Sequence, residues 1–72
     1  MNAMTHIRKN VFRVTQIEMA SIADVAQSTI SRWENGGEPT QAEMARIRLE
    51  AIRRAIPWDD RWFFEAPVEV GE

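Results

Sequence analysis

The segment from Gln16 to Trp33 limits the possible folds more than any other part of the chain. Met19, Ala20 and Ala23 recur there at helical spacing. The rhythm stops at Asp24-Val25 and resumes with Ala26, Ile30 and Trp33 at steps of four and three. Two helices of about eight residues, joined only through Asp24-Val25-Ala26, cannot double back as an antiparallel hairpin over so short a link. They must cross steeply. The small side chain of Ala20 permits a close crossing, and Val25 and Ile30 are placed to fill the angle.

The rest of the chain supplies further helices around this pair. Met4, Ile7, Val11 and Val14 mark a first helix that ends near Phe12. Thr15-Gln16-Ile17-Glu18 is a capping box that opens the second helix. Asn35-Gly36-Gly37 closes the third, since these residues tolerate positive φ. Thr40-Gln41-Ala42-Glu43 is a second capping box, opening the longest helix, with Met44, Ile47, Ala51, Ile52 and Ala55 as its apolar stripe. Pro57 stops that helix, and Asp59 or Asp60 can cap a short fifth carrying Trp62 and Phe63. The expected fold is all-α, with five helices at roughly 4–12, 16–23, 27–34, 41–55 and 59–64. A short extended segment at Val68-Glu69-Val70 would be too short to stand alone.

Several chemistries are excluded before any site is considered. Among 72 residues there is no cysteine, so disulfides and thiolate metal sites are ruled out, in keeping with a reducing cytoplasm. His6 is the only histidine and cannot build a zinc site by itself. No nucleophile–base set and no glycine-rich phosphate loop is present, so the chain is not expected to be an enzyme, and no metal, cofactor or small-molecule ligand is expected. No apolar run is long enough to span a bilayer, and Met1-Asn2-Ala3-Met4 lacks a signal-peptide core, so a cytoplasmic location is expected.

The net charge of −2 hides an uneven distribution. Residues 1–58 carry eight Lys/Arg against six Asp/Glu, whereas residues 59–72 carry Arg61 against five acids. The acidity belongs to the C-terminus, so the total says little about the surface offered to a partner. The expected organisation is one domain over residues 1–65 followed by a short acidic tail, 66–72.

The outer face of the third helix is where binding chemistry gathers. Gln27, Ser28, Ser31, Arg32 and Asn35 point away from the Ala26/Ile30/Trp33 stripe. Gln pairs bidentately with adenine, Arg with guanine, and Ser with several base edges. A polar face of this kind also suits an ordinary solvated helix, and the residue types alone leave both readings open.

The stretch TQIEMASIADVAQSTISRWENG resembles the Cro/repressor-type helix-turn-helix family. Thr15-Gln16, Met19-Ala20, Val25, Ile30-Ser31 and Trp33-Glu34-Asn35-Gly36 carry the likeness at the family's spacing. The resemblance implies a dimer on double-stranded operator DNA, with the third helix in the major groove. Gln27, Ser28 and Arg32 would contact bases, while Gln16 and Asn35, supported by Thr15 and Ser31, would hold phosphates. The implied role is a phage- or prophage-type repressor. The alternative is an antitoxin that also represses its own operon, although only residues 65–72 remain for holding a toxin.

The chain departs from the family pattern at three places. Asp24 stands where the turn usually has glycine, although Asp enters the left-handed region tolerably. Ala26 stands where Ser or Thr usually caps the third helix, a loss of about 0.5–2 kcal/mol. The loop Gly36-Gly37-Glu38-Pro39 lacks the basic residues common in relatives, leaving phosphate contact to Arg8, Lys9, Arg13 or Arg46. Trp33, on the inner stripe, is expected in the core, and His6 on the surface. Arg53-Arg54 is expected to be a solvated helix end. Trp58, Trp62, Phe63 and Phe64 could close the lower core. They could also meet a partner, and Phe63, Phe64, Val68 and Val70 are the residues expected at a dimer contact.

Overall fold

The computed structural model describes residues 2–65. It is all-helical, but with four α-helices rather than five: α1 Ala3–His6, α2 Gln16–Ala23, α3 Gln27–Glu34 and α4 Gln41–Arg53. The expected fifth, Asp60–Phe63, winds as a single 3-10 turn that the Asp59 side chain caps by accepting from the Arg61 amide. No strand occurs among the described residues. Val68 and Val70, with the expected extended segment and acidic tail, lie outside them.

The first helix also changes character. After His6 it continues as a π-helix, Ile7–Phe12. A π-helix bonds each residue to the one five away, so Phe12 falls over Ile7, and both are buried. The expected rhythm through Val11 assumed the ordinary pitch, and Val11 is only half-buried as a result.

Both capping boxes form. The Thr15 hydroxyl accepts from the Glu18 amide and Glu18 accepts from the Thr15 amide, and Thr40 and Glu43 repeat the exchange. The C-termini rely on left-handed residues. Asp24 takes φ 60 and lets the Val25 amide reach the Ala20 carbonyl at 2.9 Å. Ala55 takes φ 58 and lets the Ile56 amide reach the Ala51 carbonyl at 2.8 Å, which ends α4 two residues before the expected position.

The core runs through every element. Met4, Ile7 and Phe12 meet Met19, Ala20 and Ala23 of α2, Ile30 and Trp33 of α3, Ile47 and Ala51 of α4, and Phe63. Trp33 is 1% exposed, so it belongs to the core as expected. The Asn2 side chain joins the start of α1 to the end of α3, accepting from the Thr5 amide and donating to the Trp33 carbonyl at 3.0 Å. Ile52, however, lies outside the α4 core stripe and is 62% exposed. It sits five residues from Ile47, well over a quarter-turn away at about 100° per residue.

The aromatic residues near the C-terminus are mostly absorbed by the monomer. Trp58 packs edge-on against Phe12, Trp62 and Phe63. His6 is half-buried, with its ring edge-on to Trp62 at 5.8 Å, rather than lying free on the surface. Phe63 is 7% exposed and joins the core, whereas Phe64 is 69% exposed. Of the four residues expected at a dimer contact, Phe64 is the one that the described structure leaves on the surface.

Candidate nucleic-acid interface

α2 and α3 pack against each other across the short link, with Ala20 and Ile30 buried in the core they share. Because Ile30 and Trp33 anchor the inner face of α3, Gln27, Ser28 and Arg32 stand on its exposed face. Ser31 is half-buried. Ala26 occupies the N-cap of α3 without any side-chain bond, so the first amides of that helix lack an internal cap.

A chain of hydrogen bonds supports this face from beneath. Arg8 grips Glu34 through both its Nε and Nη2, at 2.5 and 3.1 Å. Glu34 Oε1 also accepts from the Gln16 amide at 3.2 Å, and Gln16 Oε1 accepts from the Gln27 amide at 3.1 Å. Gln27 on the exposed helix is thus tied through Gln16 to an ion pair whose side chains are only 12% and 10% exposed. Burial opposes the charge on Glu34, but hydrogen bonds from Arg8 and Gln16 and the nearby positive charges of Arg8 and Lys9 outweigh it. Its carboxyl stays below the ordinary range. The guanidinium of Arg8 is held above its usual value chiefly by the hydrogen bond to Glu34.

The expected phosphate residues lie around the ends of α2 and α3. Thr15 is exposed at the N-cap of α2, its hydroxyl engaged in the capping box. Gln16 follows, half-buried, with one of its two amide hydrogens committed to Glu34. Asn35 is exposed, and its side-chain amide folds back to the Ser31 carbonyl at 2.7 Å. Arg13 is exposed and left-handed at φ 60, two residues before Thr15.

Two of the four cations considered for phosphate are engaged internally. Arg8 is locked to Glu34 and also donates to the Val14 carbonyl, and Arg46 donates to the Ala23 carbonyl at 2.7 Å, closing the end of α2. Among the described residues Lys9, Arg13 and Arg32 make no hydrogen bond and no ion pair. The Arg8–Glu34 pair itself escaped the sequence reading. One signal was available, because an acid in the last turn of a helix opposes the helix dipole and implies a compensating cation.

No group of acids and histidine capable of holding a metal occurs among the described residues, and none of their helices is long and apolar enough to cross a membrane. A family model described as helix-turn-helix matches residues 12–48, more than half of the chain. No curated protein and no solved structure matches it.

Proposed function

The chain belongs to the Cro/repressor-type helix-turn-helix family of DNA-binding transcriptional regulators, and from that premise we propose that it is a phage- or prophage-type repressor that reads operator DNA as a homodimer. The observation that carries this reading is the tether from Arg8 through Glu34 and Gln16 to Gln27. A long amide on an idle surface gains little from being held in one rotamer. One that must meet an adenine edge gains affinity by being ordered beforehand.

In this reading α3 enters the major groove, with Gln27, Ser28 and Arg32 facing bases. The N-terminus of α2 meets a phosphate through its free amides, with Thr15, Gln16 and Arg13 around it. Ser31 and Asn35 flank the same backbone from the end of α3, and Lys9 adds charge. Such contacts set the register of the helix without reading sequence. One helix reads too few base pairs for useful discrimination, so two copies would address half-sites about one turn, roughly 34 Å, apart.

Footprinting on sequences selected from a random pool tests this. Protection of two related, inverted half-sites is the expected result. Protection of one half-site at saturation would overturn the dimeric reading, and failure to enrich any sequence would overturn specific recognition altogether.

A further inference from the structure

The outer face of α4 carries an apolar stripe that the core does not use. Ala42, Ala45, Leu49 and Ile52 follow one another at steps of three, four and three, the spacing of a helix–helix seam. Leu49 is 63% and Ile52 62% exposed, while Ile47 and Ala51 on the opposite face are fully buried. Apolar residues on the solvent side of a helix, aligned rather than scattered, indicate a surface that a partner covers.

The order of sizes along the stripe indicates what that partner is. The two small residues lie toward the N-terminus of α4 and the two large ones toward its C-terminus. A two-fold axis across the helix at the level of Ile47 exchanges position 42 with 52 and position 45 with 49. Each large side chain of one copy then falls opposite a small side chain of the other. Two-fold contacts require a patch that complements itself, and this stripe does so at both pairs. Its borders also suit a like copy. Arg48 is already paired with Asp60 at 2.9 Å, and Arg53 with Glu50, so neither presents a bare charge to its own kind. Ala42 and Ala45 further line an open groove that continues to exposed Phe64, extending the apolar surface beyond the helix.

We propose that α4 pairs antiparallel with α4 of a second copy through Ala42, Ala45, Leu49 and Ile52, and that this seam is the main dimer contact. The inference rests on the homodimer reading above and gives it a surface, one centred on α4 rather than on the C-terminal residues.

Sedimentation without DNA tests the seam independently of DNA recognition. The wild-type chain is expected to dimerise reversibly, and Leu49→Glu to weaken the dimer about tenfold or more, a hot-spot effect. Leu49→Ala alone loses most of the affinity. The swap Ala45→Leu with Leu49→Ala restores it, because the two-fold axis again sets one leucine against one alanine. Since the chain has no cysteine, a mixture of Ala45→Cys and Leu49→Cys chains should yield a mixed disulfide under mild oxidation. Thermal melts of the dilute variants should match wild type, because Leu49 is exposed in the monomer. A wild-type chain that stays monomeric, a Leu49→Glu chain that dimerises normally, or a swap no better than Leu49→Ala would each overturn the seam. Binding to a single half-site should be unchanged in Leu49→Glu. An intact dimer that binds no DNA would refute the DNA reading and leave the seam standing.

Discussion

From Gln41 to Glu65, Arg48, Arg53, Arg54 and Arg61 each form an ion pair with an acid, whereas in the N-terminal half Lys9, Arg13 and Arg32 form none. The acids differ as much as the cations. Glu50 serves two arginines at the surface, and hydrogen bonds from Arg53 and then Arg54 pull its carboxyl down to about 2. Glu34 serves Arg8 and Gln16 in a nearly buried position and so supports the exposed face of α3. One half therefore neutralises its charge internally. The other keeps cations unpaired around the face proposed to meet DNA, so a net charge of −2 is compatible with that proposal.

Breaking the half-buried pair should have the largest effect. Glu34→Ala leaves Arg8 half-buried without its charged partner and should cost about 1.5–3 kcal/mol of stability, while Arg48→Ala, which removes an exposed pair, should cost about 0–1 kcal/mol. Chemical denaturation of both variants gives the comparison, and similar losses would remove the distinction between the halves. Acid provides a second readout of the same pair. The Glu34 carboxyl lies below its ordinary value of 4.5 in the folded chain, so its contribution is complete above that pH and declines as pH falls through the folded value. Glu34→Gln should flatten that part of the stability profile.

In the proposed reading, Arg32 would face a base and Arg13 a phosphate. Arg32→Ala should cost about 1–3 kcal/mol of discrimination at one base pair per half-site and leave the other positions readable. Arg13→Ala should weaken good and poor sites alike and lower the salt dependence of binding by about one phosphate equivalent. Binding-site selection and salt titration on the two variants separate these outcomes. An Arg32→Ala chain weakened equally on every sequence would make Arg32 a phosphate contact.

The smallest expected change compares α3 with α4. The full capping box at Thr40 and Glu43 secures α4, whereas Ala26 gives α3 no side-chain cap. Ala26→Ser should therefore stabilise the fold by about 0.5–2 kcal/mol in thermal unfolding. Thr40→Ala should destabilise it by a similar amount. No gain from Ala26→Ser would mean that the α3 amides are already satisfied by solvent.

Local chemistry made much of this protein legible from its residues. Thr15 and Glu18, like Thr40 and Glu43, declare helix starts because each box is satisfied within four residues. Asp24 and the three-residue link end α2 and start α3, and the Ile30/Trp33 stripe then turns Gln27, Ser28 and Arg32 outward. Tertiary packing decided the rest. The π-helix at Ile7–Phe12 arises because burying Phe12 above Ile7 needs a five-residue step, whereas an apolar rhythm matched Val11 equally well. Phe63 and Phe64 are neighbours of one type, yet one is buried and the other exposed, because only the course of the 3-10 turn determines which meets Met4 and Trp58. Arg8, Arg46 and Lys9 look alike as sequence. Glu34 and the Ala23 carbonyl engage the first two from 26 and 23 residues away, separations at which only the assembled fold selects partners.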